Sequence, residues 1–156
     1  MSERLNIPRA ESKQLIDGYF ATFPSVKAYI DRSVAQAKEK GYVTTLYGRR
    51  RMLPEINSRN AVVRQFSERN AVNSPIQGTA ADVIKIAMIA IDRRFEQEGI
   101  KSKMILQVHD ELNFDVLPAE LEKVQKIVVE EMENAYHGNV RLTASYASAP
   151  NWLEAH

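Results

Sequence analysis

Two short runs of alternating residues, on either side of a charged break, constrain the fold of this chain more than any other feature. Apolar side chains occupy every second position in both runs: Met104, Leu106 and Val108 before the break, and Leu112, Phe114 and Val116 after it. Period-two alternation predicts two half-buried strands. Because so few residues separate the runs, we expect the two strands to form a hairpin.

The break, His109-Asp110-Glu111, is called the acidic turn below. It lacks the glycine, asparagine or proline that a tight turn favours. Its neighbouring carboxylates repel each other, and a divalent cation would relieve that repulsion. Mg²⁺ is usually held by one or two carboxylates together with substrate phosphates. A rule broken within a regular pattern is often a functional site, so the sequence predicts that Asp110 and Glu111 bind Mg²⁺. An incidental acidic turn is the alternative.

Composition excludes several classes of protein but indicates no function. The chain has 156 residues, of which 44% are hydrophobic and 26% charged, which is enough to build the core of one globular domain. The absence of cysteine excludes disulfides and thiolate zinc sites. No apolar run is long enough to span a bilayer, and no signal-peptide pattern opens the sequence. We therefore expect a soluble, cytoplasmic protein with no membrane partner.

Positive charge is concentrated in one stretch, although the net charge is only +1. Six arginines fall between positions 49 and 69: Arg49, Arg50, Arg51, Arg59, Arg64 and Arg69. Residues 42–46 are β-prone, and a turn at Gly48 would place the first three arginines in a loop. Guanidinium groups match phosphate oxygens, so this loop either binds phosphate or is an ordinary solvated basic loop. The loop alone does not decide between the two.

A row of polar side chains follows on a predicted helix. Arg69, Asn73 and Gln77 are spaced four residues apart, so they would form one ridge if the helix continued through Pro75. These three residues are called the polar ridge below. Their donors suit the minor groove of a duplex, where every base pair presents acceptors at similar places. A solvated helix face is the alternative, and the spacing alone favours it.

Apolar residues at helical spacing account for most of the remaining chain. The predicted helices are residues 9–22, 24–40, 58–73, 84–98 and 118–136. Ser58 would cap the third helix, with Val62 and Phe66 facing a core. Residues 140–146 are expected to form a last strand, and Trp152 to anchor the terminus. Long helices interleaved with short strands indicate an α+β fold with a small antiparallel sheet.

Several spaced motifs occur in the order found in one known family. They are Gly41, Gly48 to Arg51, Pro54, Glu68-Arg69, Asn73 to Asp82, Gln107 to Leu112, Asn151-Trp152 and Ala155-His156. Together they resemble the C-terminal part of the family A DNA polymerases, over nearly the whole chain. The resemblance implies part of the fingers and the palm. Residues 1–40 would be helical, 41–98 a loop and a long kinked helix, and 99–156 the palm hairpin, a helix and a C-terminal strand and tail.

The resemblance also implies the chemistry of the acidic turn. Asp110 is similar to a metal-binding aspartate of the family, Glu111 lies beside it, and His109 is similar to a residue near the primer terminus. The implied activity is template-directed transfer of a nucleotide from dNTP to a primer 3′-hydroxyl. The implied cofactor is Mg²⁺, with Mn²⁺ as a substitute.

The same resemblance implies that the arginines and the polar ridge hold DNA. Arg69, Asn73 and Gln77 are similar to residues that contact template and primer through the minor groove. The arginines expected to help hold the primer-template duplex are Arg49, Arg50, Arg51 and Arg64.

The sequence also departs from the family pattern. The family uses a second aspartate at the end of an earlier strand and a fingers helix that gathers the triphosphate, whereas Asp17 and Asp31 fall in helical patterns here. We therefore expect a fragment of a bacterial polymerase that is inactive alone and exposes surface able to drive self-association. Asn113 stands where an apolar residue is expected and needs a partner if buried. The alternatives are a non-catalytic duplex-DNA-binding module and a structural domain with an incidental acidic turn.

Overall fold

The computed structural model describes residues 8–155, and the expectations that fall on residues 1–7 or on His156 lie outside this range. The chain divides into two compact units, residues 1–76 and 77–156. The described residues are mostly helical, with two small antiparallel sheets, which confirms the predicted α+β class. No helix among these residues is both long and apolar enough to cross a membrane.

The first unit begins with two helices whose ends follow from proline and glycine. Helix α1 spans Arg9–Thr22 and helix α2 spans Pro24–Lys40, which confirms both predicted ranges. Pro24 fits the first turn because that position needs no N–H donor. Gly41 ends α2 at φ +76°, a left-handed conformation that glycine adopts without steric cost, and its N–H bonds to the carbonyl of Ala37.

Strands β1 (Tyr42–Thr44) and β2 (Arg50–Met52) form an antiparallel pair, called the arginine hairpin below because it carries Arg49, Arg50 and Arg51. Its one buried side chain is Val43. The core cluster around that side chain consists of Ala37, Val43, Leu53, Ile56 and Ala71. The strands of this hairpin therefore contribute one side chain, Val43, to the core of their unit.

The turn of the arginine hairpin begins and ends earlier in the chain than the sequence predicts. The N–H of Thr45 bonds to the carbonyl of Arg49, and Gly48 reverses the chain at φ +81°. The strand predicted for residues 42–46 consequently ends at Thr44. Arg50 and Arg51 lie in a strand, and the prediction that they lie in a loop is wrong.

Helix α3 spans Ala61–Glu98 and contains Pro75 in its interior. One long helix, as the family resemblance implies, is observed, and the end near Asn73 that the apolar pattern predicts is wrong. A proline removes one ladder hydrogen bond without preventing those on either side. The predicted cap is also wrong. Oδ1 of Asn60 accepts the N–H of Val62 at 3.0 Å, whereas the hydroxyl of Ser58 accepts the N–H of Asn60 at 3.3 Å.

The buried face of the first half of α3 is made of small residues. Ser67, Ala71 and Ser74 are buried at helical spacing. Val62 and Phe66 lie off this face and are 76% and 59% exposed, so the prediction that they face a core is wrong. Small side chains bring a helix close to its neighbour, a role that a search for large apolar residues does not detect.

The second unit is built on a hairpin and a helix. Strands β3 (Lys103–Val108) and β4 (Glu111–Asp115) pair antiparallel and form the acidic hairpin. A 3-10 turn, Pro118–Glu120, leads into helix α4, Leu121–Asn134. The core contains Ile91, Phe95, Val124 and Ile127, against which Met104, Leu112 and Phe114 of the hairpin pack. The predicted inward direction of these three hairpin residues is confirmed.

Three details of the second unit differ from the predictions. A β-bulge shifts the register between Met104 and Leu106. Strict alternation would place Leu106 on the same buried face as Met104, but its side chain is 46% exposed. Leu121 belongs to the apolar spacing that predicts a helix over residues 118–136 with an inward face, but it is 37% exposed at the start of α4. Helix α4 ends at Asn134, two residues before the predicted Tyr136.

Residues 140–146 form no strand, which contradicts the prediction. The carboxylate of Glu133 accepts hydrogen bonds from the side chain of Arg141 at 2.9 Å and from the N–H of Ala144 at 3.2 Å. These bonds hold the segment against α4 without a partner strand. The four-residue helix α5, Trp152–Ala155, follows.

Candidate functional site

The acidic turn is a two-residue hairpin loop. Val108 pairs with Glu111, so His109 and Asp110 alone connect the strands. His109 has φ +54° and is the one non-glycine residue with positive φ among residues 8–155. A positive φ at the first loop position only is the pattern of a type II′ turn, which normally has glycine there. The side-chain amide of Gln107 donates to the carbonyl of His109 and supports this conformation.

The backbone of His109 stores free energy. A non-glycine residue in the left-handed region costs on the order of 1–3 kcal/mol and persists where its surroundings fix it, often at functional sites. The sequence pattern already indicated that this turn lacks favourable turn residues. The structure adds that the strain falls on His109 and not on either carboxylate.

The two carboxylates of the turn have different surroundings. Asp110 is exposed, whereas Glu111 is partly buried and its Oε1 accepts the indole N–H of Trp152 at 2.8 Å. The sequence assigned Trp152 to anchoring the terminus, so this contact with a candidate site residue was missed. Forty-one positions separate the two residues, and no local pattern reports such a pairing.

The donor set of the acidic turn fits a hard divalent cation but is incomplete. Carboxylate oxygens are the ligands Mg²⁺ prefers, and one or two of them with substrate phosphates make a usual site. Within residues 8–155 there is no group of three or more His, Cys, Asp or Glu side chains that could hold a metal ion. Asp110 and Glu111 would therefore need oxygen ligands from another source.

Resolved pKa shifts near the acidic hairpin lie at its base. The carboxylate of Glu120 accepts hydrogen bonds from the hydroxyl and N–H of Ser102, at 2.6 and 2.9 Å, and from the N–H of Lys101, at 3.1 Å. The Ser102 hydroxyl, followed by these backbone donors, lowers the pKa of Glu120 below its usual value. The Ser102 hydroxyl also accepts the N–H of Leu117 at 3.0 Å. These bonds tie the entrance of β3 to the turn before α4.

A second cluster of charge joins helices α3 and α4 within the second unit. The guanidinium of Arg94 donates to Glu98, Glu130 and Glu131 at 2.8–3.1 Å. These bonds, the one to Glu130 first, raise the pKa of Arg94 above its usual value. Part of the acidic face of α4 is therefore engaged by this arginine.

All three polar-ridge side chains are exposed, which a binding role requires. Arg69 and Asn73 line a groove of about 830 Å³ between α2 and α3 in the first unit. The guanidinium of Arg69 lies 5.7 Å from the ring centroid of Phe66, so the exposed aromatic ring supports it. Gln77 is the first residue of the second unit.

The arginines fall into two groups. Arg49, Arg50 and Arg51 are exposed, and the guanidinium of Arg50 lies 4.8 Å from the ring centroid of Tyr42. Arg64 is partly buried and donates to the carbonyl of Ser58 at 2.8 Å. Arg64 therefore fastens the segment that leads into α3, a role the sequence did not indicate.

Comparisons with known proteins agree on one family. The model of DNA polymerase family A matches residues 1–154. The chain is 49% identical to a DNA polymerase I of Streptococcus pneumoniae and 48% identical to that of Bacillus subtilis, in each case over 99% of the chain. It spans only 18% of the length of these relatives.

A solved structure gives the same result for the fold. The structure is described as the POL domain of Pol1 from M. smegmatis in complex with a DNA primer-template and dNTP. It is 45% identical to this chain, with a TM-score of 0.87, and the match covers 90% of this chain and 25% of that one.

Proposed function

The chain belongs to DNA polymerase family A, and from this membership we propose that it forms the C-terminal part of a polymerase domain, comprising the palm and part of the fingers. Its parent protein would add nucleotides from dNTP to a primer 3′-hydroxyl as a template directs. The fold similarity to a polymerase domain solved with primer-template and dNTP supports this proposal. Its expected location in a bacterial cytoplasm follows from the same relatives.

The acidic turn supplies the residues closest to the chemistry in this proposal. The primer oxygen forms a bond to the α-phosphorus of dNTP, the bond to the β-phosphate oxygen breaks, and pyrophosphate leaves. Mg²⁺, or Mn²⁺ in its place, stabilises charge on the attacking and leaving oxygens when bound. Asp110 and Glu111 would hold the cation through their carboxylate oxygens. His109, next to them, would lie at the primer terminus.

The polar ridge and the arginine hairpin hold the duplex in this proposal. Arg69, Asn73 and Gln77 are exposed donors, and minor-groove acceptors occur at similar places in every base pair. Such contacts test the shape of a pair without reading its sequence. The exposed arginines of the hairpin would neutralise phosphates, and Arg64 would act mainly by fastening the loop before α3.

The 156-residue chain is not expected to extend a primer by itself. Its described residues hold no group of three metal-ligating side chains. Its sequence before the acidic hairpin shows neither an aspartate at the end of a hydrophobic strand nor the pattern of a triphosphate-binding fingers helix. The side chains of Leu15, Tyr19 and Phe23 are about half exposed in α1 or beside it. Exposed apolar side chains favour association, so we expect the isolated chain to self-associate.

The observation that carries the proposal is the exposed Asp110 beside a strained His109, in a chain of this family. The sharpest test replaces the corresponding segment of the Bacillus subtilis relative with this chain and measures primer extension. We expect the chimera to extend a primer. Asp110→Ala should reduce the rate roughly a thousandfold, because losing several kcal/mol of charge stabilisation corresponds to about three factors of ten.

Asp115→Ala is the matched control, since Asp115 is an exposed carboxylate on the same strand as Glu111. It should leave extension unchanged. A chimera that binds primer-template normally but extends it equally well with and without Asp110 would contradict the proposal. Duplex binding by the isolated chain with no extension by any chimera would instead favour the duplex-binding alternative.

A further inference from the structure

The C-terminal segment reaches the acidic turn through one hydrogen bond. Nε1 of Trp152 donates to Oε1 of Glu111 at 2.8 Å, and both residues belong to the second unit. Trp152 remains 48% exposed, so its ring is not simply core filling. An indole has a single donor and no acceptor, so this contact engages all of its hydrogen-bonding capacity.

The start of helix α5 fixes the position of that indole. Oδ1 of Asn151 accepts the N–H of Glu154 at 3.1 Å, and Nδ2 of Asn151 donates to the Glu154 carboxylate at 2.8 Å. This reciprocal pair is a side-chain form of the capping box. Trp152, the first residue of the helix, therefore has a defined direction of approach to Glu111.

The bond changes the balance between the two neighbouring carboxylates. A donor to a carboxylate stabilises its negative charge, and such charge-assisted bonds are roughly twice as strong as neutral ones. The bond also holds one Glu111 oxygen in a set direction, while the adjacent Asp110 is exposed. The two carboxylates are thereby made unequal: one is oriented by the protein and the other faces solvent.

We propose that Trp152 is a positioning residue of the acidic turn, which orients the Glu111 carboxylate so that Asp110 and Glu111 together present oxygens to a divalent cation. The proposal rests on the function proposed above. It makes the C-terminal segment part of the candidate site. Partners that orient metal-binding side chains typically contribute about 10–100-fold to metal affinity or activity.

The first test concerns the contact itself and needs no metal. Trp152 is the sole tryptophan, so its indole N–H gives a single resonance in a nitrogen–proton correlation spectrum of the full chain. Glu111→Gln, which keeps the side chain's size, should move this proton upfield and speed its exchange with solvent. The control Asp115→Asn removes a carboxylate from the same strand and should leave the resonance unchanged. An indole resonance identical in wild type and Glu111→Gln would overturn the proposal.

The second test measures Mn²⁺ binding through paramagnetic broadening of resonances at the acidic turn. Trp152→Phe keeps an aromatic ring without the donor and should weaken Mn²⁺ binding about tenfold. Leu153→Ala, a change at an 89% exposed neighbour in the same helix, should not. Equal Mn²⁺ affinity of wild type and Trp152→Phe would overturn the positioning role.

The two tests separate this inference from the proposed function. If Mn²⁺ broadens no resonance at the turn while the indole proton still responds to Glu111→Gln, the contact exists but orients no cation ligand in this chain, and the inference fails. The proposed function is then decided separately, by primer extension with the chimera. If Mn²⁺ binds to wild type and Asp110→Asn abolishes that binding, the metal site is supported. If the indole resonance is at the same time unchanged in Glu111→Gln, the inference about Trp152 fails.

Discussion

The two hairpins of this chain share an architecture and differ in every chemical respect. The arginine hairpin reverses at Gly48, where a positive φ costs nothing, and carries three exposed arginines. The acidic hairpin reverses at His109, where a positive φ is costly, and carries two carboxylates. Glycine occupies the turn of the arginine hairpin, whose tip only has to reverse the direction of the chain. A strained residue occupies the turn for which we propose a functional role, where the identity of the side chain would matter more than the free energy of the backbone.

The hairpins also differ in how they are supported. The arginine hairpin contributes Val43 to a core, whereas the acidic hairpin packs Met104, Leu112 and Phe114 against its own unit. A rigid support is what a metal-binding turn requires, because ligands must be held within a fraction of an ångström. A phosphate-binding hairpin tolerates more movement, since long arginine side chains adjust to the charge they meet.

The largest expected effect comes from emptying the core behind each hairpin. Ile56 and Ile127 are each 1% exposed, one in each unit, so Ile56→Ala and Ile127→Ala are matched. Each should destabilise its unit by about 2–5 kcal/mol through lost burial and the cavity left behind. Amide hydrogen exchange should accelerate in the arginine hairpin for the first variant and in the acidic hairpin for the second. Equal acceleration in both hairpins for either variant would show that the units unfold together.

Substitutions at the two turn residues should change the free energy of unfolding differently. Gly48→Ala should destabilise the arginine hairpin by about 1–2 kcal/mol, because a Cβ is costly in the left-handed region. A Cβ at Gly48 has no atom within 4 Å, so any loss reports the backbone alone. His109→Gly should leave stability unchanged or raise it, by up to about 1 kcal/mol, because relieved strain offsets the greater freedom of the unfolded chain. Urea denaturation measures both changes. If His109→Gly lowered the free energy of unfolding, the backbone of His109 would not be strained.

The charge difference between the hairpins should appear in the salt dependence of duplex binding. Arg50→Gln should weaken binding of a DNA duplex and lower the slope of log affinity against log salt by about 1, if the guanidinium contacts one phosphate. Arg93→Gln, at an exposed arginine of α3 in the second unit, is the control and should leave the slope unchanged. Filter binding or fluorescence anisotropy at several salt concentrations measures the slope. An unchanged slope for Arg50→Gln would leave its hairpin without a phosphate-binding role.

The smallest effect is a pH dependence confined to the acidic hairpin. The lowered pKa of Glu120 means that its bonds to Ser102 and Lys101 contribute stability above the unfolded-state pKa, which is about 4.3, and lose it as pH falls through the folded-state value. The protection of amides at the base of β3, which is the ratio of the intrinsic to the observed exchange rate, should therefore fall below about pH 4.3. Glu120→Gln should remove this dependence. The backbone bonds of the arginine hairpin contain no ionisable group, so that hairpin supplies the internal comparison.

The sequence predicted those parts of the fold that depend on local chemistry. Pro24 and Gly41 bound α2 because each acts through its own backbone, and the alternation around the acidic turn yields β3 and β4 directly. The apolar spacing that predicts a helix over residues 84–98 includes Ile91 and Phe95, and both side chains are buried in the core of the second unit.

The failures involve features that only tertiary contacts decide. Val62 and Phe66 were assigned to a core because they are large, but the buried face of that helix uses serine and alanine. The strand predicted at residues 140–146 is replaced by hydrogen bonds to Glu133, a residue on another element. Nδ2 of Asn113 is buried without a partner among the described residues, so the polar residue noted in the sequence does lack a bond there.

The sequence singles out the residues of the candidate site but not the contacts that they make. Asp110 and Glu111 stand out because adjacent acids in a tight turn violate turn preferences. Trp152 does not stand out, since an aromatic residue near a terminus suits simple anchoring. Only the fold brings its indole to Glu111.

Helix α3 runs unbroken past Pro75, and that continuity has a kinetic consequence. Proline has no amide hydrogen, so the carbonyl of Ala71, four residues earlier, receives no helical donor from it. The successive backbone hydrogen bonds of a helix resist its opening. In α3 one of these bonds is missing at Pro75, close to the boundary between residues 76 and 77. We therefore expect α3 to unwind transiently near Pro75 as well as at its two ends, so that the helix bends most easily at the proline.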